Sequence, residues 1–135
     1  MKETFLNASG KVIVENLVST IRGSVEMLTE VDGKIGDGDH GINMNKGFTM
    51  TGKRLEGKDL SFTEAIEALG DVLVSEIGGS MGPIYGSLFL ELADQSGEHE
   101  EIDKGTYLTM WTSALDAVLS IGNAEKGDKT MLDTL

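Results

Sequence analysis

Apolar residues recur along this chain at three- and four-residue intervals, and no stretch keeps the strict alternation of a half-buried strand. Val12, Ile13, Leu17 and Ile21 share one helical face. Val25, Leu28 and Val31 continue the pattern beyond Gly23, with Ser24 placed to cap a second helix. Met44, Phe48 and Thr51 mark a third helix, ending near Gly57. Ser61-Phe62-Thr63-Glu64 has the form of a capping box, and Ile66, Leu69, Val72, Leu73 and Ile77 supply the stripe behind it. Gly78-Gly79-Ser80-Met81-Gly82-Pro83 then breaks the pattern, and Pro83 suits the first turn of a helix carrying Leu88, Phe89, Leu90 and Leu92. Leu108, Trp111, Leu115, Val118 and Leu119 build a last long helix closed by Gly122. Residues 98–103 read as an acidic surface loop with His99 in solvent. Met27, Met44, Met50, Met110 and Trp111 read as core. The pattern predicts an all-α protein in a single domain, residues 1–135, with no sheet.

Composition narrows the setting. The 135 residues can bury a real core, and 23 acidic against 11 basic side chains leave a formal charge of −12. A surface that acidic argues against nucleic acid and anionic membranes as partners. No apolar run approaches the ~18 residues of a membrane span. The first residues lack the apolar core of a signal peptide, and cysteine is absent. A cytoplasmic protein is expected, in which Asn7-Ala8-Ser9 matches a glycosylation acceptor only by chance.

Chemistry concentrates in Val31–Met44, which holds three aspartates, one histidine and four glycines directly before a helix. Asp37 and Asp39 are two apart, so an extended loop projects both carboxylates to one side. Asp32, near the end of the preceding helix, can reach the same point. Three carboxylates within about 5 Å repel by roughly 3 kcal/mol per pair at an effective dielectric of about 20. A cation removes that penalty, and an all-oxygen acidic set suits Mg²⁺ or Ca²⁺ better than zinc.

Other motif readings fail on their context. Gly36-Asp37-Gly38-Asp39-His40-Gly41 spells a dinucleotide fingerprint, but the residues before it are helical and bare aspartates repel a pyrophosphate. Counting from Asp37 as an EF-hand, position six is Ile42 and position twelve Phe48, where glycine and glutamate are needed. Gly122–Thr130 approaches a P-loop, but Asp128 is inserted and no strand precedes it. Gly78–Gly82 and Gly41-Ile42-Asn43 each open a helix, where free N–H groups accept phosphate oxygens. His40, beside Asp39, can donate to a phosphate. Met81 and Met131 lie on glycine-rich loops, where they can face an adenine.

Three segments together carry a resemblance. Asp32-x4-Asp37-Gly38-Asp39-His40-Gly41-x-Asn43-Met44, Gly78-Gly79-Ser80-Met81-Gly82-Pro83 with Tyr85-Gly86, and Ala124-Glu125-x-Gly127-Asp128-Lys129-Thr130-Met131 resemble the nucleotide-binding L subunit of dihydroxyacetone kinase. The resemblance implies an antiparallel helical barrel or bundle that holds ADP or ATP with two Mg²⁺ ions at one end. It implies Asp32, Asp37 and Asp39 as metal ligands, and His40, Gly41, Ile42 and Asn43 as phosphate contacts. Ser80 and Met81 take the places of the Gly-Gly loop, and Gly122 and Met131 fall where the family lines its nucleotide pocket. The family loop often reads Gly-Gly-Ala-Ser-Gly, so the hydroxyl of Ser80 stands one place early. Family members continue through helices bearing an arginine and an Asp-Pro-Gly segment, which are not in this sequence. The C-terminal helices are therefore expected to be missing, leaving Leu17, Ile21 and Leu115 facing water, so that the 135-residue chain either self-associates as a homo-oligomer or exists only as part of a longer polypeptide.

The function so implied is phosphoryl transfer, governed by positioning and electrostatics, with no catalytic side chain assigned here. The acceptor, dihydroxyacetone, belongs on a partner K subunit. The resemblance implies either recharging of bound ADP by a phosphocarrier M subunit of the phosphotransferase system or, as in ATP-using relatives, exchange of the nucleotide, and some family members also signal to a transcription regulator. The rival reading is a nucleotide-loaded binding or regulatory module without turnover, separated from the first by assays with added K and M subunits. A metal-dependent phosphohydrolase lacks a positioned general base other than His40.

Overall fold

The clearest local rule in the chain operates as written. Ser61 Oγ accepts the N–H of Glu64 at 3.1 Å while the Glu64 carboxylate accepts the N–H of Ser61 at 3.1 Å, closing the capping box. In the computed structural model, which describes residues 3–122, this box opens the fourth of six α-helices. They are α1 (Lys11–Arg22), α2 (Val25–Gly33), α3 (His40–Leu55), α4 (Phe62–Glu76), α5 (Met81–Ser96) and α6 (Lys104–Gly122). A 3₁₀ turn (Asn7–Ser9) precedes α1. Short connections make sequential helices antiparallel neighbours: α4 packs on α5, α5 on α6, and α3 on both α1 and α4. The core between them includes Val14, Phe48, Leu55, Ile66, Leu69, Leu73, Leu92 and Met110.

Close helix contacts depend on glycine. A Cβ on Gly70 would meet Leu90 Cγ at 2.7 Å and the Gly86 carbonyl at 3.1 Å, so α4 and α5 approach with almost nothing between their backbones. Gly47 of α3 likewise leaves room for Leu73 and Ile77.

The expectation of no sheet is corrected. Thr4–Leu6 (β1) pairs antiparallel with Glu101–Asp103 (β2), Phe5 opposite Ile102. The acidic stretch read as a loop thus contributes its one apolar residue to the core: Ile102 is buried, and Phe5 meets the Phe62 ring edge-on at 5.4 Å. His99 is exposed, as expected. Four other expectations also change. Met27 and Val31 are exposed, and α2 has no buried residue. Ser24 makes no side-chain cap, its hydroxyl donating instead to Thr20 O at 2.8 Å. On α6 the buried stripe is Met110, Ala114 and Val118, with Leu108 and Leu119 in solvent. Leu17, Ile21 and Leu115 do not face water; they pack partly buried against the core.

Asn7 is buried and serves as a pin. Its Nδ2 donates to Thr63 Oγ1 (2.8 Å), Ser96 O (3.0 Å) and His99 O (3.0 Å), and its Oδ1 accepts from Thr63 N (3.0 Å). The start of α4, the end of α5 and the chain before α1 meet there, at the other end of α5 from Met81. Asn7→Ala leaves several buried groups unpaired, at a net ~0.5–1.5 kcal/mol for each bond lost. We expect a loss of roughly 2–4 kcal/mol in urea unfolding, with ligand binding at the other end unchanged in the folded protein.

Candidate metal and phosphate site

Asp32 stands one residue from the end of α2, and the chain then turns through Gly33–Asp39 into α3. Gly38 has φ +77°, a left-handed conformation that glycine adopts without steric cost, so the loop is a tight turn and not the extended segment expected. It nevertheless gathers the acids. Asp32, Asp37 and Asp39 each offer a carboxylate oxygen within 4.8 Å of the others. Backbone donors hold two of them: His40 N donates to Asp32 Oδ2 (3.3 Å) and Asp39 N to Asp37 Oδ1 (3.2 Å). Gly36 is packed so closely on Asp32 that a Cβ there would overlap its carboxylate.

The clustered carboxyls perturb one another. A hydrogen bond between the Asp37 and Asp39 carboxyls lowers the pKa of Asp37 and raises that of Asp39. Slight desolvation and the neighbouring negative charges of Asp37 and Asp32 add to the rise at Asp39, against a hydrogen bond from the Asn43 side chain. Crowded like charges raise the proton affinity of one member of such a pair at the expense of the other. Asp37 and Asp39 are exposed and Asp32 half-buried, leaving an open side towards solvent. Three carboxylates without thiolate or imidazole fit a hard divalent ion.

α3 begins at this point. Asp39 is its N-cap without a side-chain cap bond, and Asn43 N to Asp39 O (3.0 Å) is the first helical bond. The N–H groups of Gly41 and Ile42 belong to the turn that a helix cannot satisfy internally, the usual place for an anion. Ile42 is 61% exposed, so its backbone is the part suited to a phosphate. Gly41 is buried because α2 lies against it; a Cβ would overlap Thr29 Oγ1 and Val25 O. Thr29 Oγ1 itself is buried with no hydrogen-bond partner.

The Gly78–Gly79 loop stands at the start of α5. Gly79 (φ +73°) turns the chain, and Ser80 is an exposed N-cap whose side chain makes no cap bond. Met81 packs half-buried against the core. One turn further, the Tyr85 ring lies 6.0 Å from that of His40 at 59°, joining the α5 start to the α3 start. The structure thus groups Asp32, Asp37, Asp39 and His40 directly, and brings the Ser80 loop near them through Tyr85. Tyr85 belongs to the Tyr85-Gly86 pair of the second sequence motif but was given no role there, although its place four residues after Met81 is a usable signal. Gly122 ends α6, and Met131 lies outside the described residues.

Comparison with known proteins adds a lineage. The DAK2 domain model matches residues 34–135, which include Asp37 and Asp39. The ADP-binding subunit DhaL of the PEP-dependent dihydroxyacetone kinase of Escherichia coli is 38% identical over 111 residues, covering 80% of this chain and 52% of that protein. The corresponding PTS-dependent subunit of Lactococcus lactis is 38% identical over 107 residues, 78% of this chain and 53% of its own length. Human triokinase/FMN cyclase is 35% identical over 130 residues, 92% of this chain but 22% of that protein. The chain therefore spans about half the length of the bacterial relatives. A match that runs through α3, α4, α5 and α6 and takes in two of the three clustered aspartates makes this chain a member of the DAK2 domain family.

Proposed function

We propose that this chain binds a magnesium–nucleotide complex, ADP or ATP, as the nucleotide-holding part of a dihydroxyacetone kinase. The observation that carries the reading is the convergence of three carboxylates within 4.8 Å beside the start of α3. Asp32, Asp37 and Asp39 hold the metal, with two ions as the family count. Bound Mg²⁺ supplies charge neutralisation for the phosphates. The chain's own groups do the rest: the N–H groups of Gly41 and Ile42 and the Ser80 hydroxyl receive phosphate oxygens at two helix starts, where the dipoles favour anions. His40 and Asn43 flank the same position, and Met81, Gly122 and Met131 border the nucleotide.

The names of the relatives support a kinase setting: a PEP-dependent and a PTS-dependent dihydroxyacetone kinase subunit. On this reading the phosphoryl group passes to dihydroxyacetone on a partner K subunit, and a phosphocarrier M subunit recharges the bound ADP. A transcription regulator and a second copy of this chain are further partners of the reading, and the cytoplasm its place. No helix among the described residues is long and apolar enough to cross a membrane.

Calorimetric titration with ADP tests the core of the proposal. Binding is expected in the presence of millimolar Mg²⁺ and to collapse when the metal is chelated. ADP affinity that is equal with and without the metal overturns it.

A further inference from the structure

We infer that Tyr85 is a positioning residue for His40, and that it sets the start of α5 against the start of α3 as one site. The inference rests on the nucleotide-binding reading above and adds a residue to it.

The rotation of α5 is determined by its contact with α4. A Cβ on Gly82 would overlap the Ile77 carbonyl and lie 2.5 Å from that of Leu73; on Gly86 it would overlap Val74 Cγ2 and lie 3.1 Å from Gly70 O. Two glycines four residues apart therefore clamp one face of α5 directly onto the α4 backbone. About 100° around the helix, Met81 and Tyr85 are held on the adjoining face, packed partly buried against the core. The Cα–Cβ direction of Tyr85 is therefore fixed as long as α5 stays seated on α4.

His40 receives that ring. Its backbone N–H is tied to Asp32 Oδ2 at 3.3 Å, which anchors its Cα at the metal cluster. Its imidazole meets the Tyr85 ring at 6.0 Å between centroids, tilted by 59°. A histidine at a helix start has free rotation about two side-chain bonds, and an aromatic wall on one side removes much of it. Burial also keeps the Tyr85 phenol neutral to higher pH than usual, so it adds no charge to an acidic site. Tyr85 acts through the orientation of His40 towards bound phosphate.

A double-mutant cycle in the full chain tests this, with Mg²⁺ and ADP as the probe and calorimetry as the readout. Tyr85→Leu is expected to weaken Mg·ADP binding about tenfold, Tyr85→Phe to bind like the parent, and Tyr85→Leu to cost nothing further once His40→Ala is present. Tyr85→Met, which keeps the space filled with a flexible apolar chain, repeats the cycle should the leucine variant fail to fold. Equal losses in both His40 backgrounds overturn the inference, because Tyr85 then acts on the nucleotide or the fold directly. A deficient Tyr85→Phe overturns it as well, since the hydroxyl and not the ring would matter. His40→Ala with unchanged affinity leaves nothing to position and also overturns it. Asp37→Asn separates the two levels: if it still abolishes metal-dependent binding, only the role of Tyr85 has failed; if it does not, the site reading has failed.

Discussion

Asp37→Asn is expected to reduce Mg²⁺-dependent ADP affinity by 100-fold or more, leaving the fold intact. Substitutions of groups that merely support a metal ligand cost about 10–100-fold, and removal of a ligand charge should exceed that range. Asparagine is the informative replacement. Asp37 Oδ1 accepts the Asp39 N–H at 3.2 Å, and an amide oxygen can accept the same bond, so the turn at Gly38 should survive. Only the charge is lost. In the metal-free protein the Asp37 carboxyl raises the pKa of Asp39, first through their hydrogen bond and then through its charge, and the substitution should move Asp39 back towards the ordinary carboxylate range. The variant should consequently melt at or slightly above the parent temperature without ligand, yet gain nothing from added Mg²⁺ and ADP. A variant that retains the parent's metal-dependent affinity would remove the aspartates from the site.

Gly41→Ala is the second large effect, and it acts through the fold. Alanine is worth up to ~1 kcal/mol over glycine within a helix. Here its Cβ would overlap Thr29 Oγ1 and Val25 O and approach Thr29 N to 2.9 Å. Two of these three atoms are backbone, so no rotamer change relieves the overlap and α2 must move. Forcing an extra methyl into such a contact costs about 1–3 kcal/mol, which outweighs the helix gain. Asp32 rides on α2, and its carboxylate would be pulled from the other two. We expect a loss of about 1–2 kcal/mol in stability together with at least a tenfold drop in Mg²⁺-dependent nucleotide affinity. Gly33→Ala provides the control: a Cβ there meets nothing within 4 Å, so stability and binding should stay at parental levels or rise slightly. Equal behaviour of the two variants in thermal melts and titrations would show that the α2–α3 contact does not hold the site together.

About a third of a helical turn decides much of what sequence cannot see. Along α6 the expected stripe is Leu108, Trp111, Leu115, Val118 and Leu119; the protein buries Val118 with Met110 and Ala114, leaves Trp111 and Leu115 partly buried, and exposes Leu108 and Leu119. Periodicity shows that a helix forms, whereas the side it presents depends on the shape of its neighbours. The same holds for α2, whose Met27 and Val31 keep the pattern of a core helix and remain in solvent. β1 and β2 were illegible for another reason. Each is three residues long and their partners lie almost a hundred positions apart, too short to show alternation and too distant for any local signal. Asn7 followed suit: its four hydrogen bonds join it to Thr63, Ser96 and His99, and only the closed bundle brings those together.

What the sequence by itself determined was therefore local: the six helices among the described residues, the Ser61 capping box, the glycine breaks, and a turn with closely spaced acidic residues. These follow from interactions within a few residues, where propensity, capping and Coulomb repulsion act directly. The tertiary structure alone decided how the acids converge, through the Gly38 turn and the N–H of His40. It also decided that Tyr85 of α5 would stand against His40 of α3, forty-five positions away in the chain. Such pairings depend on which helix faces two glycines allow to touch, and that is a property of packing in three dimensions.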